Sequence, residues 1–224
     1  RLDPDEKTEE AMLRLAPLMD GLARERVFDE LCKLLMVAQV DDLIRFAPII
    51  TQVIPELKEA VGFDQRSPHH AYDLFTHIAH VTAAVPKDLT LRWAALLHDV
   101  GKVPTFTIDE NGRGHFYGHA RESARIANEI LLRLKAPTAL RERVVHLAEL
   151  HMTKAEPDRK LLRRWLSRYG EETMDQLLLL QEADMGSKGT EDPEEGRVFP
   201  KIRAILEEIK AENACLSIKD LAID

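Results

Sequence analysis

Nearly all of this chain reads as helix, and three observations make it an all-α bundle. Apolar residues recur at three- and four-residue steps along almost the whole sequence, the period of a helix rather than of a strand. Only 10 glycines occur in 224 residues. Asp, Thr, Pro or Gly stands at the limits of most periodic segments, where caps and first turns require them. No segment repeats at a fixed period.

In order, Asp3-Pro4-Asp5 supplies a capping carboxylate and a first-turn proline ahead of Met12, Leu13, Leu15 and Leu18, and Gly21 ends that helix. A second helix follows over 23–38. Asp41 caps a short one through Phe46, and Pro48 and Pro55 bracket another before Gly62. The stretch from Gly62 to Pro68 reads as a joint between subdomains. Further helices are expected over 69–85, 88–100, 118–135, 138–152, 157–169, 171–186 and 194–213. The exception is 105–117, where two β-leaning runs flank Asn111-Gly112, a short-range hairpin signal. Gly186 to Gly196 is polar and acidic and contains Pro193, which predicts a mobile loop.

Composition narrows the class. Apolar residues make up 45% and charged residues 31%, ordinary globular usage that excludes a wholly disordered or fibrous chain. A net charge of −8 argues against nucleic-acid binding by the surface as a whole, unless cations gather on one face. Cys32 and Cys215 stand far apart without CxxC partners, so neither a disulfide framework nor a thiolate zinc site is supported, and a reducing, cytoplasmic setting is expected. No run of 18 apolar residues occurs, and the N-terminus is acidic rather than basic-then-apolar, so no membrane span or signal peptide is expected.

All nine histidines fall between His69 and His151. Random scattering would do this with odds on the order of 10⁻⁴. A His-rich segment of this kind points to metal binding or acid–base work, the alternative being surface and core imidazoles with no shared role. In Tyr72 to His80, helical spacing puts Asp73 and His77 on one face. In Ala94 to Lys102, an apolar helix runs into His98-Asp99 just before Gly101, and polar groups at such depth need a cation or a buried ion pair as partner. His115 to His119 brings two more imidazoles to the foot of a new helix. Gln181-Glu182-Ala183-Asp184 places a buried carboxylate after four leucines.

The order His77, His98-Asp99, Asp184 resembles the H…HD…D pattern of the HD superfamily of metal-dependent phosphohydrolases. The stretch LLHDVGKVPTFTIDENGRGHFYGHARESA resembles the HD-containing body of the bacterial tRNA nucleotidyltransferase and poly(A) polymerase family, which includes CCA-adding enzymes. Arg24 to Leu35 and Pro55-Glu56-Leu57 are similar to phrases of that family's neck, and Leu216 to Ile223 to the opening of its tail. The resemblance divides the chain into a helical neck at 1–64, an HD domain at 65–190, and a C-terminal helix with the start of a tail at 191–224. No Gly-Ser followed by Asp-x-Asp occurs here, so the resemblance implies that the nucleotidyltransferase head lies in cis outside this sequence. A naturally headless relative is the alternative.

The resemblance further implies that His77, His98, Asp99 and Asp184 hold a divalent metal. A second ion would be shared through Asp99 with His119 and His151. Nitrogen-rich ligation suits Mn, Ni, Co, Fe or Zn better than Mg. Asp99 and Lys102 carry the implied catalysis, Lys102 as a phosphate-binding point charge, against the alternative of an exposed lysine favouring a helix C-terminus. His70 would face the cleft. Arg163, Arg164 and Arg168, with Arg159 and Lys160 around Trp165, make a candidate RNA-binding patch, and Arg121, Arg125, Arg133, Lys135, Arg141 and Arg143 a second, against solvated helix faces. A neck separated from its head would expose apolar residues between Leu13 and Leu35. The expected substrate is tRNA, a nucleotide or another phosphoester, hydrolysed as a phosphomonoester or cyclic phosphodiester. A non-hydrolytic RNA scaffold with a vestigial site, and an HD nucleotide hydrolase unrelated to tRNA, are the alternatives.

Overall fold

The computed structural model describes residues 4–67, 71–189 and 198–220. Eleven α-helices surround one two-stranded hairpin among these residues. The all-α class is as the sequence predicts.

The N-terminal segment comprises α1 (Glu6–Leu15), α2 (Arg24–Val37), α3 (Val40–Arg45) and α4 (Ala47–Val53), with 3₁₀ turns at Ala16–Gly21 and Pro55–Ala60. Two expectations are corrected here. The carboxylate capping α1 is that of Asp5, which accepts from Thr8 N, and α1 gives way to a 3₁₀ turn at Ala16-Pro17 instead of running to Gly21. The proline lacks the amide hydrogen that an uninterrupted helix would use. Likewise α3 is capped by Gln39 in a capping box with Asp42, not by Asp41, because Asp42 is the residue placed to reach back to the Gln39 amide.

The chain continues with α5 (Leu74–Ala84), α6 (Leu89–Leu97), a 3₁₀ turn at Val103–Thr105, strands β1 (Thr107–Ile108) and β2 (Gly114–His115), α7 (His119–Arg133), α8 (Thr138–Leu150), α9 (Arg159–Tyr169), α10 (Glu171–Gly186) and α11 (Val198–Asp220). The strands pair antiparallel with Thr107 opposite His115, as the Asn-Gly signal predicts. Helix α5 starts later than periodicity suggests. Asp73 caps it, Oδ1 accepting from Phe75 N and Thr76 N, so its carboxylate is spent on the helix end.

One hydrophobic core runs from Val27 in α2 to Leu180 in α10. Trp93 of α6 is fully buried, stacks on Phe28 at 5.5 Å and donates to Cys32 Sγ at 3.3 Å, which clamps α6 to α2. A second core joins α9, α10 and α11 through Leu162, Trp165, Leu178, Phe199 and Ile202. Between Leu13 and Leu35, Leu13, Leu15, Leu18 and Leu22 are exposed, whereas Val27, Phe28, Leu31 and Leu35 are buried in the core. No helix among the described residues is long and apolar enough to cross a membrane.

Candidate metal centre

The site is built where helix ends converge. His77 lies within α5. His98 and Asp99 follow the last turn of α6, His119 opens α7, His151 follows α8, and Asp184 sits in the last turn of α10. His77, His98, Asp99, His119 and His151 are all buried, and about a fifth of the Asp184 side chain is exposed, so this carboxylate borders solvent where the sequence suggests full burial. It stands at the cleft surface because α10 ends there.

Each imidazole is oriented by a backbone carbonyl. The Nδ1 of His98, His119 and His151 donates to the carbonyl three residues earlier, at Ala95, Phe116 and Ala148, over 2.7, 2.8 and 2.7 Å. His77 Nδ1 donates to Ser187 O at 3.2 Å, across the fold. With Nδ1 committed to a carbonyl, all four rings turn Nε2 inward, the atom a metal would take.

The inward atoms meet around Asp99. Its Oδ2 lies 3.2 Å from His98 Nε2 and 3.4 Å from His77 Nε2, while Asp184 Oδ1 lies 3.0 Å from His77 Nε2 and 3.8 Å from His98 Nε2. Its Oδ1 faces the other way, 3.3 Å from His119 Nε2 and 3.6 Å from His151 Nε2. Two groups able to hold a metal ion result: His77, His98, Asp99 and Asp184, and Asp99, His119 and His151, each with its ligand atoms within 4.8 Å of one another. The fit to a cation has independent support in His98 Nε2, which is buried and has no hydrogen-bond partner.

Without a cation, the carboxylates draw protons onto the first pair of imidazoles, which a bound metal would displace. Burial opposes charging His98, but Asp99 and Asp184 outweigh it and push this imidazole up to about 10. Burial likewise opposes charge on Asp99, which His98 and Lys102 nonetheless hold well below the usual carboxylate range; His77 and His98 do the same for Asp184. The pocket therefore keeps two anions at a depth where carboxylates ordinarily become neutral. His151 is pushed down by burial, so it stays a neutral donor at neutral pH.

Lys102 is not the exposed terminal lysine of the alternative reading. It is buried, with Nζ 2.7 Å from Asp99 Oδ2 and 3.0 Å from Gln65 Oε1, over the Phe116 ring at 5.3 Å. The chain turns tightly after Asp99 because Gly101 packs on α7: a Cβ there would stand 2.5 Å from Ser123 N and 2.6 Å from His119 O. Gln65, whose amide is committed to Lys102 and Tyr72 O, escapes sequence reading because it lies in a loop with no motif. Gln181 is also missed; its Nε2 donates to His151 O and Thr153 O and pins the end of α8. Its place one turn before Asp184 is the only signal the sequence offers.

A cleft of about 390 Å³ opens on this centre, lined by Asp99, Lys102, His119 and Asp184 on its floor and by Arg113, His115, Tyr117 and Lys188 higher up. The proposed RNA-binding arginines lie elsewhere. Arg163 and Arg164 line a groove of about 500 Å³ that shares no residue with the metal cleft. There Arg159 and Arg163 are tied to Glu208 and Glu212 of α11, and Arg168 lies over the Tyr169 ring at 5.4 Å. The second candidate patch disperses: Arg125 pairs with Glu122 and Glu129, Arg133 with Glu56, Lys135 with Glu25 and Arg143 with Glu172. Arg125 is paired along its own helix, whereas the partners of Arg133, Lys135 and Arg143 come from distant elements that linear sequence does not reveal. His70 lies outside the described residues, as do 190–196 of the predicted acidic loop and 221–224 of the tail.

A helical body with histidines and aspartates converging in this order is that of an HD domain, and residues 69–188 match the HD domain family. The chain belongs to that family, and residues 1–60 match a second, described as the probable RNA and SrmB-binding site of polymerase A. HD domains bind divalent metals.

Among curated relatives, the A-adding tRNA nucleotidyltransferase of Deinococcus radiodurans is 36% identical over 200 residues, covering 83% of this chain and 46% of the relative. The CC-adding tRNA nucleotidyltransferase of Thermus thermophilus is 35% identical over 177 residues, covering 75% and 41%. The multifunctional CCA protein of an Azoarcus species is 31% identical over 212 residues, covering 88% and 50%. The chain spans about half the length of the relatives it matches or less.

Proposed function

We propose that this chain is a divalent-metal-dependent phosphohydrolase body, acting on phosphomonoesters or cyclic phosphodiesters and serving tRNA 3′-end processing within a nucleotidyltransferase-type protein whose head lies in cis. The observation that carries the reading is Asp99: its two oxygens are divided between two sets of imidazoles whose Nε2 atoms converge on it. His77, His98, Asp99 and Asp184 would hold one ion, and Asp99, His119 and His151 a second. Nitrogen donors favour Mn, Fe, Co, Ni or Zn over Mg.

When bound, such a cation supplies polarisation of a phosphoryl oxygen and acidification of a water. The protein's own groups do the rest. Lys102 and Gln65 hold Asp99 in place from beneath. Arg113 and Lys188 give the cleft wall a positive character suited to a phosphoryl group. The neck's match to an RNA-binding family, together with Lys160 and Arg164 on α9, supports tRNA as the larger partner.

The test is elemental analysis of protein purified in metal-free buffer, coupled to hydrolysis of bis-p-nitrophenyl phosphate and 2′,3′-cyclic nucleotides with added Mn, Co, Ni, Zn or Mg. Bound metal with turnover, both lost in the His98→Ala plus Asp99→Ala double variant while the far-UV helix signal persists, is the expected result. Absence of metal and turnover in the parent chain would leave a non-hydrolytic RNA scaffold.

A further inference from the structure

The β-hairpin carries an aromatic pair that neither the core nor the metal centre uses. Tyr117 is 77% exposed, far more than a large ring usually is in a folded domain. Its ring lies parallel to that of His115, centroids 5.3 Å apart and planes within 5°. The neighbouring Phe116 is spent inward, against Phe106 at 5.4 Å and under Lys102. Tyr117 and His115 line the same cleft as Asp99, His119 and Asp184, and Tyr117 precedes the His119 ligand by only two residues.

The pair is also held rigidly. His115 Nε2 is 2.9 Å from Asp109 Oδ2, and Asp109 Oδ1 accepts from Asn111 N and Arg113 N, which locks the hairpin tip. Gly114 N donates to Arg66 O at 2.9 Å, and a Cβ at Gly114 would stand 2.3 Å from Gln65 O, so β2 lies directly on the 65–67 segment. Arg113, beside the pair on the cleft wall, makes no side-chain ion pair among the described residues. A flat preformed ring at the mouth of a cleft whose wall carries a guanidinium is the arrangement by which proteins hold a nucleotide, stacking the base and pairing the phosphate.

We infer that Tyr117, stacked on His115, is a nucleobase platform, and that the metal cleft takes the 3′-terminal nucleotide of a single-stranded RNA, base on the platform and phosphate toward Arg113. This rests on the phosphohydrolase reading for the chemistry, but the platform can be measured without it.

Two measurements are made on the full chain and on Tyr117→Ala and Tyr117→Phe: quenching of an RNA oligonucleotide ending in 2-aminopurine, and, with added Mn or Ni, kcat/KM for 2′,3′-cyclic AMP relative to the base-free glycerol 1,2-cyclic phosphate. Tyr117→Ala is expected to weaken oligonucleotide binding about tenfold and to lower the cyclic AMP to glycerol ester ratio by about the same factor, chiefly through KM, as for one lost base–aromatic stack. Tyr117→Phe keeps the ring and stays near the parent in both. An unchanged ratio and unchanged binding in Tyr117→Ala, or equal loss on the two esters, overturns the platform. Quenching that is lost in Tyr117→Ala, without turnover of either ester by the parent chain, retains the platform and overturns the hydrolase reading instead.

Discussion

Asp99 serves two groups that look alike in composition and differ in charge. On its Oδ2 side stand His77, His98 and a second carboxylate, Asp184; on its Oδ1 side stand only His119 and His151, whose Nε2 atoms face each other at 3.2 Å. The first group pushes its imidazoles up toward the charged form, His98 to about 10, whereas His151 on the second side is pushed down by burial. A unit charge about 4 Å away is worth on the order of 4 kcal/mol at an effective dielectric near 20. The extra carboxylate therefore ranks the first group well above the second for a cation. Five donor residues around one aspartate do not make two equal sites.

Removing the shared residue gives the largest effect. Asp99→Asn, nearly isosteric, is expected to reduce bound metal to background by elemental analysis, because both groups lose their common anion. It also leaves Lys102 and His98 buried without their counter-ion, a change that typically costs about 3–5 kcal/mol and lowers the thermal midpoint accordingly. Full metal content in Asp99→Asn would break the account at its centre.

Next, Asp184→Asn and His151→Ala separate the two groups. Calorimetric titration with Mn or Ni should show the Asp184 variant losing at least about tenfold more affinity than the His151 variant, a gap of about 1.4 kcal/mol. Equal losses would mean that charge does not rank the groups.

Metal removal sharpens the comparison from another side. In Lys102→Met, Asp99 loses the ammonium at 2.7 Å that compensates it when no cation is bound. The drop in thermal midpoint on adding chelator should therefore be larger in this variant than in the parent, by the equivalent of about 1–3 kcal/mol for an uncompensated buried group. A smaller drop would show that Lys102 competes with the metal instead of substituting for it.

A steric change tests the second group alone. Gly101→Ala drives a Cβ toward Ser123 N and His119 O. Overpacking of this kind costs about 1–3 kcal/mol in denaturant unfolding, and displacing the start of α7 should weaken binding at His119 and His151 more than at Asp184. Smallest of all, Arg163→Ala breaks an exposed pair with Glu212 and should change stability by less than about 1 kcal/mol. A larger loss there would mark α9 as more than a solvated face.

Much of this architecture is legible from local rules. Asp88 and Asp158 accept from Leu91 N and Leu161 N as capping carboxylates, at the limits the sequence predicts for α6 and α9. The hairpin turns at Asn111-Gly112 because Gly112 takes φ +78°, which other residues adopt only under strain. His98, His119 and His151 lock their own rings on a carbonyl three residues back, so their tautomer follows from sitting at a helix end. Asp73 is misread because periodicity does not distinguish a cap from the first residues of a helix.

By itself the sequence determined the helical period, the caps, the hairpin and the crowding of imidazoles between His69 and His151, because each depends on residues within a few positions of one another. Only the tertiary structure decided that Asp99 would divide its oxygens between two groups and that His77 would be oriented by Ser187, 110 residues away. It likewise turned Lys102 inward to meet Gln65, and set Glu56, Glu25, Glu172 and Glu212 against Arg133, Lys135, Arg143, Arg159 and Arg163, cations that linear reading gathers into patches. The reason is physical: charge compensation and metal-ligand convergence depend on distance in space, which is known only once the helices are packed.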